Sequence, residues 1–125
     1  MSKKRILVVE DEASVRNVCC RILNSEGFEV LSSKSAEQAR EILDQESEDL
    51  DLVFSDIILP KENGYDLACF IKDRNPSLPI LLTTGYTDRS EILKDCRFPI
   101  LWKPYGPQEL RQEVRKRLSK VLSQE

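Results

Sequence analysis

Four apolar residues in a row, Ile6-Leu7-Val8-Val9, run without alternation straight into three acids, Glu10-Asp11-Glu12. A strand with one wet face alternates apolar and polar side chains. A run that is apolar at every position must be covered on both faces. That requirement selects a sheet sandwiched between helices, which is where parallel strands are found. Ile80-Leu81-Leu82 repeats the pattern further along the chain.

The remaining sequence supplies strands and helices in strict alternation. Residues 5–9 form a first strand, and residues 13–26 a helix with Val15, Val18, Cys19, Ile22 and Leu23 at helical spacing. Gly27 stops that helix. A short second strand covers 28–31. Ser35 with Gln38 makes a capping-box start to a second helix, whose apolar face carries Ala39, Ile42 and Leu43. A third strand covers 51–55, followed by a loop over 60–64. Leu67, Ala68, Phe70 and Ile71 mark a third helix that Asn75-Pro76 ends. A fourth strand over 79–83, a short fourth helix near 88–95 and a fifth strand over 99–102 follow. Pro107, just after Gly106, opens a fifth helix with a buried stripe of Leu110, Val114, Leu118 and Val121. Five strands alternating with five helices predict a doubly wound α/β fold around a parallel sheet.

The chain has 125 residues, enough for one domain and one core, so residues 1–125 are read as a single domain. A net charge of −3 disfavours nucleic acid as a direct partner. Arg111, Arg115, Lys116, Arg117 and Lys120 crowd the C-terminal region and are read as a solvated helix face. No segment approaches the ~20 apolar residues needed to span a bilayer, and the apolar run after the basic N-terminus is too short for a signal-peptide core. A cytoplasmic protein with no membrane partner is expected. Cys19, Cys20, Cys69 and Cys96 show no Cys-x-x-Cys spacing and the chain has no histidine, so all four are read as reduced structural thiols and zinc has no case. Trp102 is assigned to core packing.

Chemistry gathers at the carboxyl ends of the strands. Strand one ends in Glu10-Asp11-Glu12, strand three in Asp56, strand four in Thr83-Thr84-Gly85 and strand five in Lys103-Pro104. In open parallel sheets, ligands bind outside those ends where the strand order reverses, which in a 2-1-3-4-5 order lies between strands one and three. Acids alone could be a plain helix start, where negative charge is favoured; acids meeting a lysine from another strand are not explained that way. Two unit charges ~4 Å apart cost about 4 kcal/mol at an effective dielectric near 20, so one acid is protonated or a cation is present. Mg²⁺ suits a site of carboxylates and carbonyls that leaves room for phosphate oxygens. An Asp carboxylate can attack phosphorus to give an acyl phosphate, and neutralising charge is most of what phosphoryl transfer needs. Gly85 keeps the donor's approach open.

Four motifs in order closely resemble the receiver domain of two-component response regulators over essentially the whole chain. They are Ile6-Leu7-Val8-Val9-Glu10-Asp11-Glu12; Asp56-Ile57-Ile58-Leu59-Pro60 with Gly64; Leu82-Thr83-Thr84-Gly85-Tyr86; and Lys103-Pro104-Tyr105. The resemblance implies a CheY-like, flavodoxin-like fold with strand order 2-1-3-4-5. It implies Asp56 as phosphoacceptor, Asp11 as a direct Mg²⁺ ligand, Glu10 as a ligand through water and the Ile58 carbonyl as a further ligand. Thr84 and Lys103 would hold the phosphoryl group. The donor would be a phosphohistidine on a sensor histidine kinase or a histidine phosphotransfer protein. The partner downstream would be a target protein, or an output domain in a longer regulator or hybrid kinase. A homodimer that forms on phosphorylation is compatible with the same reading. The switching surface would be the fourth helix, fifth strand and fifth helix.

The chain departs from the common pattern at Ile100, where many receivers place a Tyr or Phe three residues before the lysine. Tyr86 and Tyr105 are candidates to replace that aromatic. The bulk of Ile58 and Tyr86 beside the phosphoryl group would exclude attacking water. Two other functions compete. A phosphatase of the haloacid dehalogenase type would want a second acid two residues after Asp56, where Ile58 stands, and a cap domain. A degenerate receiver would dock to its partner without phosphate. The expected protein is not an enzyme with sustained turnover; it accepts a phosphoryl group and loses it slowly.

Overall fold

The computed structural model describes residues 3–46, 49–85 and 96–123, with only the backbone described for Glu46 and residues 120–123. Five parallel strands lie in the order β2-β1-β3-β4-β5. They are β1 (Arg5–Val9), β2 (Glu29–Ser33), β3 (Leu52–Asp56), β4 (Ile80–Thr84) and β5 (Ile100–Trp102). Four helices are described: α1 (Ala13–Ser25), α2 (Ala36–Glu46), α3 (Gly64–Arg74) and α4 (Pro107–Ser123). The expected short helix near 88–95, and Tyr86 with it, lie outside the described residues. Among the described residues, no helix is long and apolar enough to cross a membrane.

The unbroken apolar runs do what their composition requires. Leu7, Val9, Val53, Ile80 and Leu82 face a core built with Ala39 and Leu43 of α2 and Leu67 and Ile71 of α3. Ile6, Val8, Leu52, Phe54 and Leu81 face the other way, onto Cys19 and Leu23 of α1 and Leu110, Val114 and Leu118 of α4. Each fully buried side chain of this size contributes roughly 1.5–3 kcal/mol. Two such layers leave β1, β3 and β4 without a wet face.

Element boundaries shift where the backbone has other obligations. Phe28 stays out of β2 because its N–H donates to Leu23 O at 3.2 Å, closing the end of α1 around Gly27 at φ 95°. β2 instead runs on to Ser33, paired in register with Val9; Ser32 and Ser33 conceal the strand from an apolar reading. Pro79 and Pro99 lack an N–H and lie just before β4 and β5, lending only their carbonyls to Val53 and Leu82. The capping box forms with a variation: Gln38 N–H donates to Ser35 Oγ at 3.1 Å, while Gln38 Oε1 accepts the Lys34 N–H at 2.9 Å. Val18, assigned to the apolar stripe of α1, is 53% exposed at its edge. The C-terminal basic cluster is more than a solvated face. Arg111 and Arg115 of α4 both pair with Glu26 at the end of α1, and Arg117 pairs with Glu113. All four cysteines are free thiols, with Cys19 buried.

Gly64 opens α3 rather than closing a loop, and its lack of a side chain is a packing requirement. Its N–H donates to Ile57 O at 2.7 Å. A Cβ there would sit 1.9 Å from the backbone oxygen of Asp56, a contact that only backbone movement could relieve. Asn63 caps the helix, its side-chain oxygen accepting the Tyr65 N–H at 2.6 Å. Gly64→Ala is therefore expected to cost about 1–3 kcal/mol, the usual range for forced overpacking. Urea denaturation checks this; an unchanged midpoint would show that the β3–α3 turn yields freely.

Candidate functional site

Parallel pairing brings the strand ends level. Val9 lies opposite Ser55, Asp56 opposite Thr83, and Thr84 opposite Trp102. Lys103 follows β5 and reaches back across the strand ends. Its Nζ donates to Asp56 Oδ2 at 2.6 Å and to Glu10 Oε1 at 3.3 Å. The other carboxylate oxygens are held by backbone: Asp56 Oδ1 accepts the Ile58 N–H at 2.9 Å, and Glu10 Oε2 accepts the Glu12 N–H at 3.0 Å. Glu10 and Asp56 are each only 5% exposed. One ammonium thus serves two buried carboxylates.

Burial raises the Glu10 carboxyl above its ordinary range. The Glu12 N–H and Lys103 pull it down, while Asp56 and the neighbouring Asp11 carboxyl push it up. For Lys103, burial works against the ammonium, but its hydrogen bond to Asp56 and the charges of Asp56 and Glu10 prevail and its pKa is raised.

Asp11 is exposed on the β1–α1 turn. Arg16, one turn into α1, fixes that turn by donating from Nη1 to the carbonyls of Glu10 at 2.8 Å and Asp11 at 3.4 Å. Sequence reading missed this role; an arginine one turn after the acids is the signal that could have shown it. Thr84 is fully buried at the end of β4. Thr83 is structural, its hydroxyl donating to Leu101 O at 2.7 Å. The space beside Gly85 adjoins Lys103, whose Cβ would lie 3.6 Å from an added methyl. That is ordinary contact, so an alanine there would lean on the lysine. Ile58 is 57% exposed at the rim.

Two aromatic residues depart from expectation. Trp102 is half-buried rather than core, because β5 is the sheet edge and Trp102 borders a cavity of about 340 Å³ with Glu109, Gln112 and Glu113. Tyr105 is anchored: its hydroxyl lies 3.2 Å from the buried Cys19 thiol and its ring meets Phe54 edge-on at 6.1 Å. Burial raises the pKa of both the phenol and the thiol, keeping them neutral. Ile100 packs against the α2–α3 core.

A buried aspartate at a strand end is gripped here by a lysine that also holds a second buried acid, Glu10. Residues 6–115 match the response regulator receiver domain family. The chain belongs to that family. It is 32% identical over 124 residues to a probable transcriptional regulator, ycf27, of Porphyridium aerugineum, covering 97% of this chain and 50% of that protein. It is 30% identical over 118 residues to the sensor kinase CckA of Brucella abortus, covering 92% of this chain and 12% of the kinase. The chain therefore spans half or less of these relatives. Among solved structures, a CheY-like receiver domain protein of Methanospirillum hungatei superposes with a TM-score of 0.88 at 26% identity, covering 99% of this chain and 100% of the other. Phosphorylation and Mg²⁺ are typical of this two-component signalling family, whose members interact with sensor kinases and downstream targets.

The raised Glu10 pKa has a consequence for stability. An unfolded chain holds this carboxyl near 4.5, and the folded chain holds it higher. Between those values the folded state binds more protons, so stability falls as pH rises through the window. In metal-free buffer at neutral pH, Glu10→Gln should be more stable than the parent, with the difference shrinking as pH falls through the raised folded value towards 4.5 and gone below it. Paired urea titrations at neutral and acid pH check it; a gap independent of pH would contradict the assignment.

Proposed function

We propose that Asp56 of this receiver domain accepts a phosphoryl group from a phosphohistidine on a sensor kinase or histidine phosphotransfer protein. A carboxylate oxygen of Asp56 forms the new O–P bond as the N–P bond of the donor breaks; the donor ring, protonated on its other nitrogen, leaves as a neutral imidazole, and Asp56 becomes an acyl phosphate. The 2.6 Å contact of Lys103 with Asp56 is the observation that carries this reading. An ammonium already on the nucleophile needs only a small shift to follow the charge onto a phosphoryl oxygen. Thr84 supplies a hydroxyl to the same group once uncovered.

Mg²⁺ would supply charge neutralisation at the phosphoryl oxygens. Among the described residues, no three Asp, Glu, Cys or His side chains form a ready-made metal cage. That fits an ion usually held by one or two carboxylates with waters and phosphate oxygens. Asp11 and Asp56 would be its direct carboxylate ligands, the Ile58 carbonyl a third, and Glu10 an outer partner through water.

Val18 and Ile58 are the large apolar side chains left exposed among the described residues, which supports a donor presented by a protein that covers them. The acyl phosphate carries ~1.5–2 negative charges where the carboxylate carried one, and it lies beside β5. The responding face includes β5 and α4, available to a downstream protein, to an output domain in a longer chain, or to a second phosphorylated copy. The protein performs one transfer and slow loss rather than sustained turnover, and free thiols suit a cytoplasmic setting. Docking without phosphate is not favoured, because the acid and lysine constellation is complete.

Intact mass after incubation with Mg²⁺ and acetyl phosphate should show one added phosphoryl group, absent without Mg²⁺ and absent in Asp56→Asn. An adduct on Asp56→Asn would place the acceptor elsewhere. Trp102 is the single tryptophan, stands beside Lys103 and pairs in register with Thr84. Its emission should change on phosphorylation and stay constant in Asp56→Asn. A silent tryptophan on a fully phosphorylated sample would show that β5 does not respond.

A further inference from the structure

At the amino ends of the strands, opposite Asp56, the molecule holds a second cavity, of about 350 Å³. Its walls bring together three cations from three elements: Lys72 of α3, Arg97 ahead of β5 and Arg117 of α4. Leu78 and Phe98 supply apolar surface and Ser77 a hydroxyl. Among the described residues, no acid lines it, in a chain whose acids outnumber its Lys and Arg by 22 to 19.

We propose that this cavity is a binding site for a small phosphomonoester carrying an attached ring, of the nucleoside monophosphate type. Three cations without a lining acid match a dianion better than a single carboxylate, and guanidinium forks fit phosphate oxygens in pairs. The Arg117 fork is only partly used. Nη2 pairs with Glu113 at 3.2 Å, while Nε is buried with no hydrogen-bond partner. Leaving a buried donor unmade costs free energy, and an arriving phosphate gives the guanidinium a reason to swing outward and recover it. Arg97 stands 5.9 Å over the Phe98 ring and donates to the Cys69 thiol at 3.5 Å. Phe98 is itself steadied edge-on by Tyr65 at 5.6 Å, so an aromatic platform is already ordered at the cavity. Pro76, Pro79 and Pro99 stiffen the surrounding turns. The volume lies at the small end of ligand cavities and suits one nucleotide. The chain's net charge of −3 opposes a longer polyanion.

This site is independent of the phosphoacceptor reading, and its test is kept apart from it. Titration calorimetry with AMP, inorganic phosphate and adenosine, without Mg²⁺ or phosphodonor, is run on the parent, Lys72→Gln, Arg117→Gln and Asp56→Asn. AMP should saturate one site and bind more tightly than either fragment. Lys72→Gln and Arg117→Gln should each weaken it about tenfold or more, as expected for one charge-assisted hydrogen bond. Asp56→Asn should leave it unchanged. Circular dichroism and urea midpoints of Lys72→Gln and Arg117→Gln should match the parent, which shows that both variants are folded. Absence of saturation at millimolar AMP, indifference to both cation variants, or loss in Asp56→Asn would each overturn the proposal. Inorganic phosphate binding as tightly as AMP would remove the ring from it.

Discussion

One ammonium group shared by two buried carboxylates sets the terms for this molecule. Asp56 ends β3, Glu10 follows β1 and Lys103 follows β5. Like charges at the ends of β1 and β3 would push those ends apart, yet the two strands pair in full register up to Val9 and Ser55. Lys103 offsets that repulsion only in part, since one positive charge faces at least two negative ones. The residual negative charge is what makes the crevice receptive to a further cation; the Glu10 carboxyl is raised first by its burial, with the charge of Asp56 adding to it. Backbone N–H groups of Ile58 and Glu12 take the outward oxygens, so the acids are aimed before any ligand arrives.

The rest of the fold holds this arrangement in place. Asp56 is fixed from below by a strand buried on both faces. It is fixed from the side by Gly64, whose missing side chain lets α3 start against the Asp56 carbonyl. Arg16 anchors the turn that carries Glu10 and Asp11. Tyr105, wedged between Cys19 and Phe54, holds the chain two residues beyond Lys103. Each support comes from a different helix or turn, so the site is a product of the whole doubly wound topology and of no single motif.

Much of this was legible in the sequence, for an identifiable reason. Buried parallel strands advertise themselves as unbroken apolar runs, and the charge that follows each run marks where the strand meets water. Asp56, Glu10 and Lys103 could therefore be assigned to one crevice before any coordinates. Features written in backbone geometry were less visible. The last two residues of β2 are serines and give no apolar signal. Phe28 looks like a strand residue, but its N–H is committed to closing α1. Trp102 looks like core because of its size, whereas its place on the edge strand leaves it half-buried. The pairing of Cys19 with Tyr105 spans 86 residues, a separation at which no local periodicity can speak.

A parallel sheet has chemically unequal ends, and this chain exploits the inequality. Every strand leaves the sheet on the same side, so residues that follow apolar runs collect there; here they are acids and one lysine. Residues that precede the runs collect on the opposite side, and around β4 and β5 they are prolines, an arginine and an aromatic ring. Helices run back along the sheet, so α4 begins near Lys103 and carries Arg117 to the far end. β5 has only three residues, Ile100–Trp102, with Pro99 at the cationic cavity and Lys103 in the acidic crevice. Two regions of opposite charge are thus separated by the shortest strand among the described residues, each kept from neutralising the other by the apolar layer between them.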